Sequence, residues 1–251
     1  MPPDVYLRGG PEFKGRELGA IPWLSSKRGF PMSLAYDFQD ATIPSRSEPS
    51  SVDETLDILN RMGVRIAYAK DEEIYGQDEM ADLVYRVIEG AVRTSRLMSD
   101  GRRQIGDFYR AGDLFGFETG SHHRFAAEAL QDCIILVLKR SALKSAGGDL
   151  ERLTWATTNR ELDRAQEHLL LLGRKTASEK VASFLLDLVR GSDADTVDLP
   201  MGRQDMADYL GLTIETVSRM LSQLQATRIV CFTATRKFQT PNIAALKRMA
   251  A

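Results

Sequence analysis

The sequence predicts an α+β chain in which an antiparallel β-roll, one long helix and a carboxy-terminal winged helix-turn-helix follow one another. Short apolar runs separated by glycine-bearing turns occupy much of the region before residue 149. Apolar and small residues then recur at alternating spacings of 3 and 4 from Trp155 to Leu172. Beyond them, two helical segments meet at Gly211 and lead into an alternating run rich in β-branched residues. These changes of pattern place an arm at 1–50, the roll at 51–148, the long helix at 149–173 and the winged domain at 174–251.

The arm holds Pro2, Pro3, Pro11, Pro22, Pro31, Pro44 and Pro49 among Gly and Ser without sustained periodicity, a composition that favours disorder. Trp23, Phe30 and Tyr36 equip it either to pack on the next domain or to meet a partner. A short helix is expected over 53–60, and strands over 83–88, 91–97 and 133–138. Residues 111–120 read as a turn-rich crossing between strands. His122 and His123 are adjacent, so on a strand they point to opposite faces, and no cysteine or carboxylate cluster at ligand spacing accompanies them. A solvated loop pair and no metal site are expected. Cys133, on a core strand, is expected to act as a small buried hydrophobe.

In the long helix, Trp155, Thr158, Leu162, Ala165, Leu169 and Leu172 form an a/d seam. Such a seam suits a parallel two-stranded coiled coil, and over little more than two heptads it also suits a helix packed on its own roll. Arg160, Glu161, Arg164 and Glu167 are expected to keep the other faces polar. Ala165 at the centre of the seam introduces no charge repulsion, so the homodimer is expected to form without an effector. Pairing of two chains would set two winged domains about 34 Å apart, one turn of DNA, and imply a palindromic operator.

The winged domain carries the chemistry. Gly211 supplies a turn where positive φ is cheap, Thr213 is placed to cap the next helix, and Leu212, Val217, Leu221 and Leu224 form its buried stripe. Ile214, Glu215, Ser218 and Arg219 lie on the other side, where the first turns of a recognition helix meet base edges. Glutamate can accept from a cytosine amino group and arginine can grip guanine O6 and N7 with both prongs. Alternatively, Glu215 and Arg219, spaced i and i+4, form a solvated ion pair. The segment 201–210 fits the shorter first helix that crosses the sugar-phosphate backbone. Arg203, Gln204, Thr213 and Thr216, with Arg236 and Lys237 at the tip of the expected hairpin over 228–240, are candidates for phosphate contact.

This constellation resembles the CRP/FNR superfamily of bacterial transcription regulators over about residues 55–248, and Glu215-Thr-Val-Ser218-Arg219 resembles its FNR and FixK branch. The resemblance implies a cupin-like, cyclic-nucleotide-binding-like roll, a dimerisation helix, and reading of a TTGA-type half-site by Glu215, Ser218 and Arg219. It further implies palindromes of the TTGAT-N4-ATCAA type, recruitment of RNA polymerase, and activation of genes for low-oxygen respiration, denitrification or nitrogen fixation. Catabolite activators of the superfamily have arginine where this chain has Ile214, which offers only van der Waals contact, for example to a thymine methyl. Thr227-Arg228 stands where the family usually has a helix-ending glycine, so the wing is expected to enter differently.

Cyclic-nucleotide sensors of the superfamily place a glutamate directly after the equivalent of Gly116 and an Arg-Ser pair later in the loop. Here Phe117 follows Gly116, Glu118 is one residue late, and Arg124 is followed by Phe125. No cofactor is therefore expected; the competing reading is a regulator gated by a small molecule, such as a cyclic nucleotide, in the roll. A cluster of the [4Fe–4S] type calls for four thiolates, whereas the chain has only Cys133 and Cys231. Cys231, in the wing, is a candidate redox site.

The charge of −2 hides an asymmetry, because residues from Arg174 onward hold eleven Lys/Arg against eight Asp/Glu. The net positive half is the half with the helix-turn-helix. The absence of an 18-residue apolar run and of a signal-peptide layout leads to an expectation of a cytoplasmic chain with no membrane partner. No nucleophile with a placed base and no lysine-bearing phosphate loop is visible, so an enzyme is not expected.

Overall fold

The computed structural model describes residues 51–145, 148–191 and 195–251. The expected arm, with Trp23, Phe30 and Tyr36, lies outside these residues. In chain order the elements are α1 (Ser51–Met62), β1 (Val64–Tyr68), β2 (Glu73–Tyr75), β3 (Leu83–Glu89), β4 (Ala91–Leu97), β5 (Arg103–Arg110), β6 (Leu114–Phe115), β7 (Ala126–Ala129), β8 (Cys133–Lys139), α2 (Arg140–Ser145) and α3 (Gly148–Arg174). Then follow α4 (Ala177–Arg190), β9 (Val197–Asp198), α5 (Arg203–Leu210), α6 (Ile214–Ala226), β10 (Cys231–Ala234), β11 (Lys237–Gln239) and α7 (Ile243–Ala250).

Two antiparallel four-stranded sheets, ordered β1-β8-β3-β6 and β2-β7-β4-β5, make the roll. Its interior holds Tyr75, Tyr85, Val87, Val92, Tyr109, Phe115 and Ile135. A second cluster on the outer side joins Leu136 and Leu138 of β8 to Leu59 of α1 and Leu150 of α3. The near-continuous apolar run over 133–138 follows from that arrangement, since alternate residues of β8 serve different cores. Gly90 turns β3 into β4 at φ +95°, where an added Cβ would lie 2.5 Å from Cys133 Sγ. Cys133 is buried as expected, and its thiol donates to the carbonyls of Ala91 (3.2 Å) and Gln131 (3.0 Å).

Helix α3 spans 27 residues and has two stripes. Leu150, Leu153, Thr157, Glu161, Arg164, His168 and Leu171 are buried or half-buried, whereas the a/d seam at Trp155, Thr158, Leu162, Ala165 and Leu169 is exposed within one chain. Packing on the roll is therefore carried by residues outside the seam, Leu150 and Leu153 among them, while Arg160 and Glu167 are exposed as expected. Glu161 and Arg164 are half-buried instead: their partners Asp107, Tyr109 and Asp113 lie in and just after β5, too far along the chain for local periodicity to reveal them.

The winged domain is organised around α4, whose Val181, Ala182, Phe184, Leu185 and Leu188 pack with Met206, Leu210, Val217, Leu221, Leu224, Phe238 and Leu246. Thr176 and Glu179 close a reciprocal capping box at its start. After α6, Arg228 takes the left-handed conformation expected of a glycine, with φ +53°. Ile229 N–H donates to Leu224 O and Arg228 N–H to Gln225 O, both at 3.0 Å, which is a Schellman closure. The wing then forms a three-stranded sheet ordered β10-β11-β9, so the missing glycine is absorbed at one residue and the hairpin remains. A non-glycine residue there is disfavoured by about 1–2 kcal/mol, offset by the roughly 0.5–1 kcal/mol of extra backbone entropy that glycine loses on folding. Arg228→Gly is expected to leave the wing intact and to stabilise the fold by up to about 1 kcal/mol, a rise of about 2–4 °C in melting temperature by calorimetry.

Candidate nucleic-acid interface

Helix α6 is built from its turn outward. Gly211 sits at φ 60°, ψ 41°, and its N–H and that of Leu212 both return to Ala207 O. The last carbonyls of α5 are bound from behind: Lys180 Nζ, in a buried side chain, donates to Leu210 O at 3.1 Å. His168 Nε2 lies 2.8 Å from Tyr209 O, with the imidazole stacked on the phenol ring at 4.1 Å. Helix α6 begins at Thr213, whose hydroxyl accepts Thr216 N–H at 3.3 Å and lies 3.1 Å from the Thr216 hydroxyl. Both threonines, expected at phosphates, are thus engaged in the cap. Their contribution to an anion would come through the helix N-terminus they close.

Val217, Leu221 and Leu224 are buried, which turns the opposite face outward. Ile214, Glu215 and Arg219 are exposed there and Ser218 is half-buried beside them. Hydrogen bonds from its own backbone N–H and from the Thr213 hydroxyl hold the Glu215 carboxyl below its ordinary range, so at neutral pH it is purely an acceptor. Among the described residues no ion pair joins Glu215 to Arg219, despite their spacing. Arg203 Nη1 donates to Ser218 Oγ at 3.3 Å, which brings a residue expected at phosphate against one expected at a base. Gln204 donates to Asp208 Oδ1 at 2.8 Å, Arg236 to Pro200 O at 3.0 Å, and Lys237 pairs with Asp198 at 3.3 Å. All four remain exposed on the α5 and wing flanks of α6. Cys231 is exposed on β10, as expected.

Leu172, the last residue of the expected seam, departs from it. It is half-buried against the core of the winged domain, and its Cδ2 would lie 3.3 Å from a Cβ added at Gly211. The end of the seam is therefore used to support the helix-turn-helix turn from within the same chain.

The roll opens toward α3 in a cavity of about 1640 Å³ whose lining includes Tyr75, Ile105, Tyr109, Glu118, Arg124 and Trp155. Glu118 Oε1 accepts Arg124 N–H at 3.0 Å and Oε2 accepts Arg124 Nε at 3.1 Å. Arg124 thus already has a carboxylate on its guanidinium. The expected solvated histidine pair is half wrong: His122 is exposed beside Ser121 Oγ, but His123 is buried and stacked on Tyr75 at 3.7 Å. Burial lowers the His123 pKa and keeps it neutral, a consequence of the loop folding back under Tyr75. Among the described residues, no group of three or more His, Cys, Asp or Glu is placed to hold a metal, and no helix is long and apolar enough to cross a membrane.

A Crp-like helix-turn-helix domain model matches residues 179–249, and a cyclic nucleotide-binding domain model matches residues 65–146. The nitrogen fixation regulation protein FixK of Azorhizobium caulinodans is 46% identical over 201 residues, covering 76% of this chain and 81% of the relative. The chain belongs to the CRP/FNR family of transcription regulators, in its FixK-like branch. A second FixK, from Rhizobium meliloti, is 40% identical and covers 82% of this chain and 97% of its own. The solved structure of FixK2 from Bradyrhizobium japonicum is 50% identical, covers 75% of this chain and 98% of its own, and superposes with a TM-score of 0.73. These CRP/FNR relatives are named as regulators and the chain is not an enzyme.

In this FixK-like chain the mounting of α3 on the roll is polar as well as apolar. Tyr109 OH donates to Glu161 at 3.1 Å, and Arg164 reaches Asp107 (3.2 Å), Asp113 (3.4 Å) and Glu161 (3.8 Å). Burial and then the Asp107 charge push the Glu161 carboxyl up to about 7, and burial raises Asp107 against the pull of Arg164. A carboxyl whose folded pKa exceeds its unfolded value binds its proton more tightly in the folded state. Glu161 therefore contributes stability below its unfolded pKa of about 4.5 that is lost as pH rises through about 7. In urea denaturation the stability of the wild type relative to Glu161→Gln should be greater at pH 5.5 than at pH 8.

Proposed function

We propose that the chain is a homodimeric, sequence-specific activator that reads TTGAT-N4-ATCAA-type palindromes in double-stranded DNA without bound effector. The observation that carries this reading is the outward face of α6, where an ionised glutamate, a serine and an arginine stand on the first two turns, backed by a buried stripe. Glu215, Ser218 and Arg219 would read base edges and Ile214 a thymine methyl. Arg203, Gln204, Arg236 and Lys237, with the capped α6 N-terminus at Thr213 and Thr216, would position the phosphates. Residues 149–173 would pair with a second copy through Trp155, Thr158, Leu162, Ala165 and Leu169, whose exposure in one chain supports a two-fold seam. Residues 51–148 would be a sensor-like roll, 174–251 the reading domain and 1–50 an appended arm.

The FixK relatives are named for regulating nitrogen fixation. By that likeness this chain would act in the cytoplasm with RNA polymerase on nitrogen-fixation, denitrification or low-oxygen respiration genes. The carboxylate already on Arg124 supports operation without a cyclic nucleotide, while the open cavity beside it is what an effector-gated regulator would use. Purified chain is expected to prefer the palindrome over a scrambled duplex with no added nucleotide. Weak, equal binding that becomes selective only on adding cyclic AMP would establish the gated reading.

Two substitutions separate readout from positioning. Arg219→Ala should cost about 1–3 kcal/mol on the palindrome and relax preference at its guanine. Arg203→Ala should weaken both duplexes alike and lower the salt slope by about 1. Both are read by fluorescence anisotropy across salt; equal effects of the two variants would refute the assignment. Sedimentation of micromolar protein should give a dimer, and Leu162→Glu, which puts like charges across the seam, should give monomers.

A further inference from the structure

Asp205 is an acidic residue on α5, the helix that in the proposed reading crosses a polyanion, and it is buried. It accepts the Gly202 N–H at the start of its own helix at 3.4 Å, and its side-chain partners come from the roll. Arg93 of β4 places Nη1 at 3.1 Å from both carboxylate oxygens, and Arg103 of β5 reaches Oδ1 at 2.6 Å. Arg103 also donates through Nε to Asp208 Oδ2 at 2.8 Å, while Arg93 binds Glu128 of β7 at 2.6 and 2.8 Å. Two guanidinium groups and three carboxylates thus form one network across the junction between the roll and the winged domain. Beside it, Phe108 of β5 meets Tyr209 of α5 at 5.3 Å and Phe184 of α4 at 6.0 Å.

We propose that Arg93 and Arg103 are positioning residues for DNA recognition, acting by clamping the carboxylates of α5 to the roll. The inference rests on the reading of α6 as the recognition helix. Free carboxylates on the backbone-crossing helix would repel phosphates, so their presence on α5 makes sense when they are paired elsewhere. The forked guanidinium fits this task, because two-pronged contact fixes direction as well as distance. The clamp starts from adjacent strands of one sheet, whose register is fixed by the Arg93↔Phe108 and Leu97↔Arg103 pairs. It ends on α5, which the Gly211 turn and the bonds from Lys180 and His168 hold in a set relation to α6. Orientation of α5 therefore becomes orientation of the reading face. The clamp sets how two recognition helices are presented to one operator, while neither arginine touches DNA.

The test uses the full chain, the TTGAT-N4-ATCAA duplex and its scrambled counterpart over a range of salt, with Asp208→Asn, Arg103→Ala, Arg103→Lys and the Asp208→Asn/Arg103→Ala double variant. Asp208 and Arg103 are chosen because they lie at the part-exposed rim of the network, and asparagine keeps the oxygen that accepts Gln204. Melting temperatures establish that each variant is folded. The clamp predicts that Asp208→Asn weakens palindrome binding about tenfold, or about 1.4 kcal/mol, although it removes a negative charge from a DNA-binding domain. Arg103→Ala should do the same with scrambled-duplex affinity and salt slope unchanged, Arg103→Lys should restore part of the loss, and the double variant should bind no worse than either single. Stronger binding of Asp208→Asn to both duplexes would overturn the proposal, as would a fall of about 0.9 in the Arg103→Ala salt slope, the mark of a lost phosphate contact. Unchanged palindrome affinity in both single variants would overturn it too. Wild-type chain that binds both duplexes alike, with and without cyclic AMP, would instead refute the reading of α6, a result distinct from all of these.

Discussion

Helix α3 must satisfy two surfaces with one cylinder, and the placement of every other functional feature follows from how it divides its circumference. The stripe from Leu150 to Leu171 is used on the roll and the winged domain, which leaves Trp155, Leu162 and Leu169 in solvent at 55–71% exposure. Large apolar side chains left this open along one line of a helix call for a covering surface. At its carboxy-terminal end the division breaks down: Leu172 and His168 are taken by the turn of the helix-turn-helix. The helix that would pair two chains is thus also the strut against which the reading turn rests.

Polar chemistry at the junctions does a different job from the apolar cores. Glu161 and Arg164 join α3 to the roll, and Arg93 and Arg103 join the roll to α5. Charged groups buried against one another add little net stability compared with well-packed apolar side chains, yet they tolerate few alternative geometries. Directional contacts at domain boundaries suit a chain whose proposed task depends on the relative aim of its parts.

What could be read from the sequence was what is local. Gly211, Thr213 and the Val217, Leu221, Leu224 stripe specify a turn, a cap and a buried face within 14 residues, and each is found where expected. The strand over 91–97 and the long helix were visible for the same reason. The charge networks were not, because their partners are distant: Arg93 and Asp205 are 112 positions apart, and Tyr109 and Glu161 are 52 apart. His123 was misread because its burial depends on Tyr75 of another strand. The start of helix α4 is also a local signal, since Thr176 and Glu179 spell a capping box in the sequence. Among the candidate site residues the exposure of Ile214, Glu215 and Arg219 follows from the local stripe, while the engagement of Arg203 with Ser218 depends on how α5 and α6 cross.

The core of the winged domain does not stop at its boundary: Ala91, Leu130 and Leu171 belong to the same buried cluster as α4 and α6, and the ring of Phe108 lies edge-on to Phe184 and beside Tyr209. A fragment cut at the end of α3 would uncover the side of this interior that Ala91, Phe108, Leu130 and Leu171 cover. A winged domain produced alone would therefore present to water the side of Phe184 and Tyr209 that Phe108 covers in the whole chain.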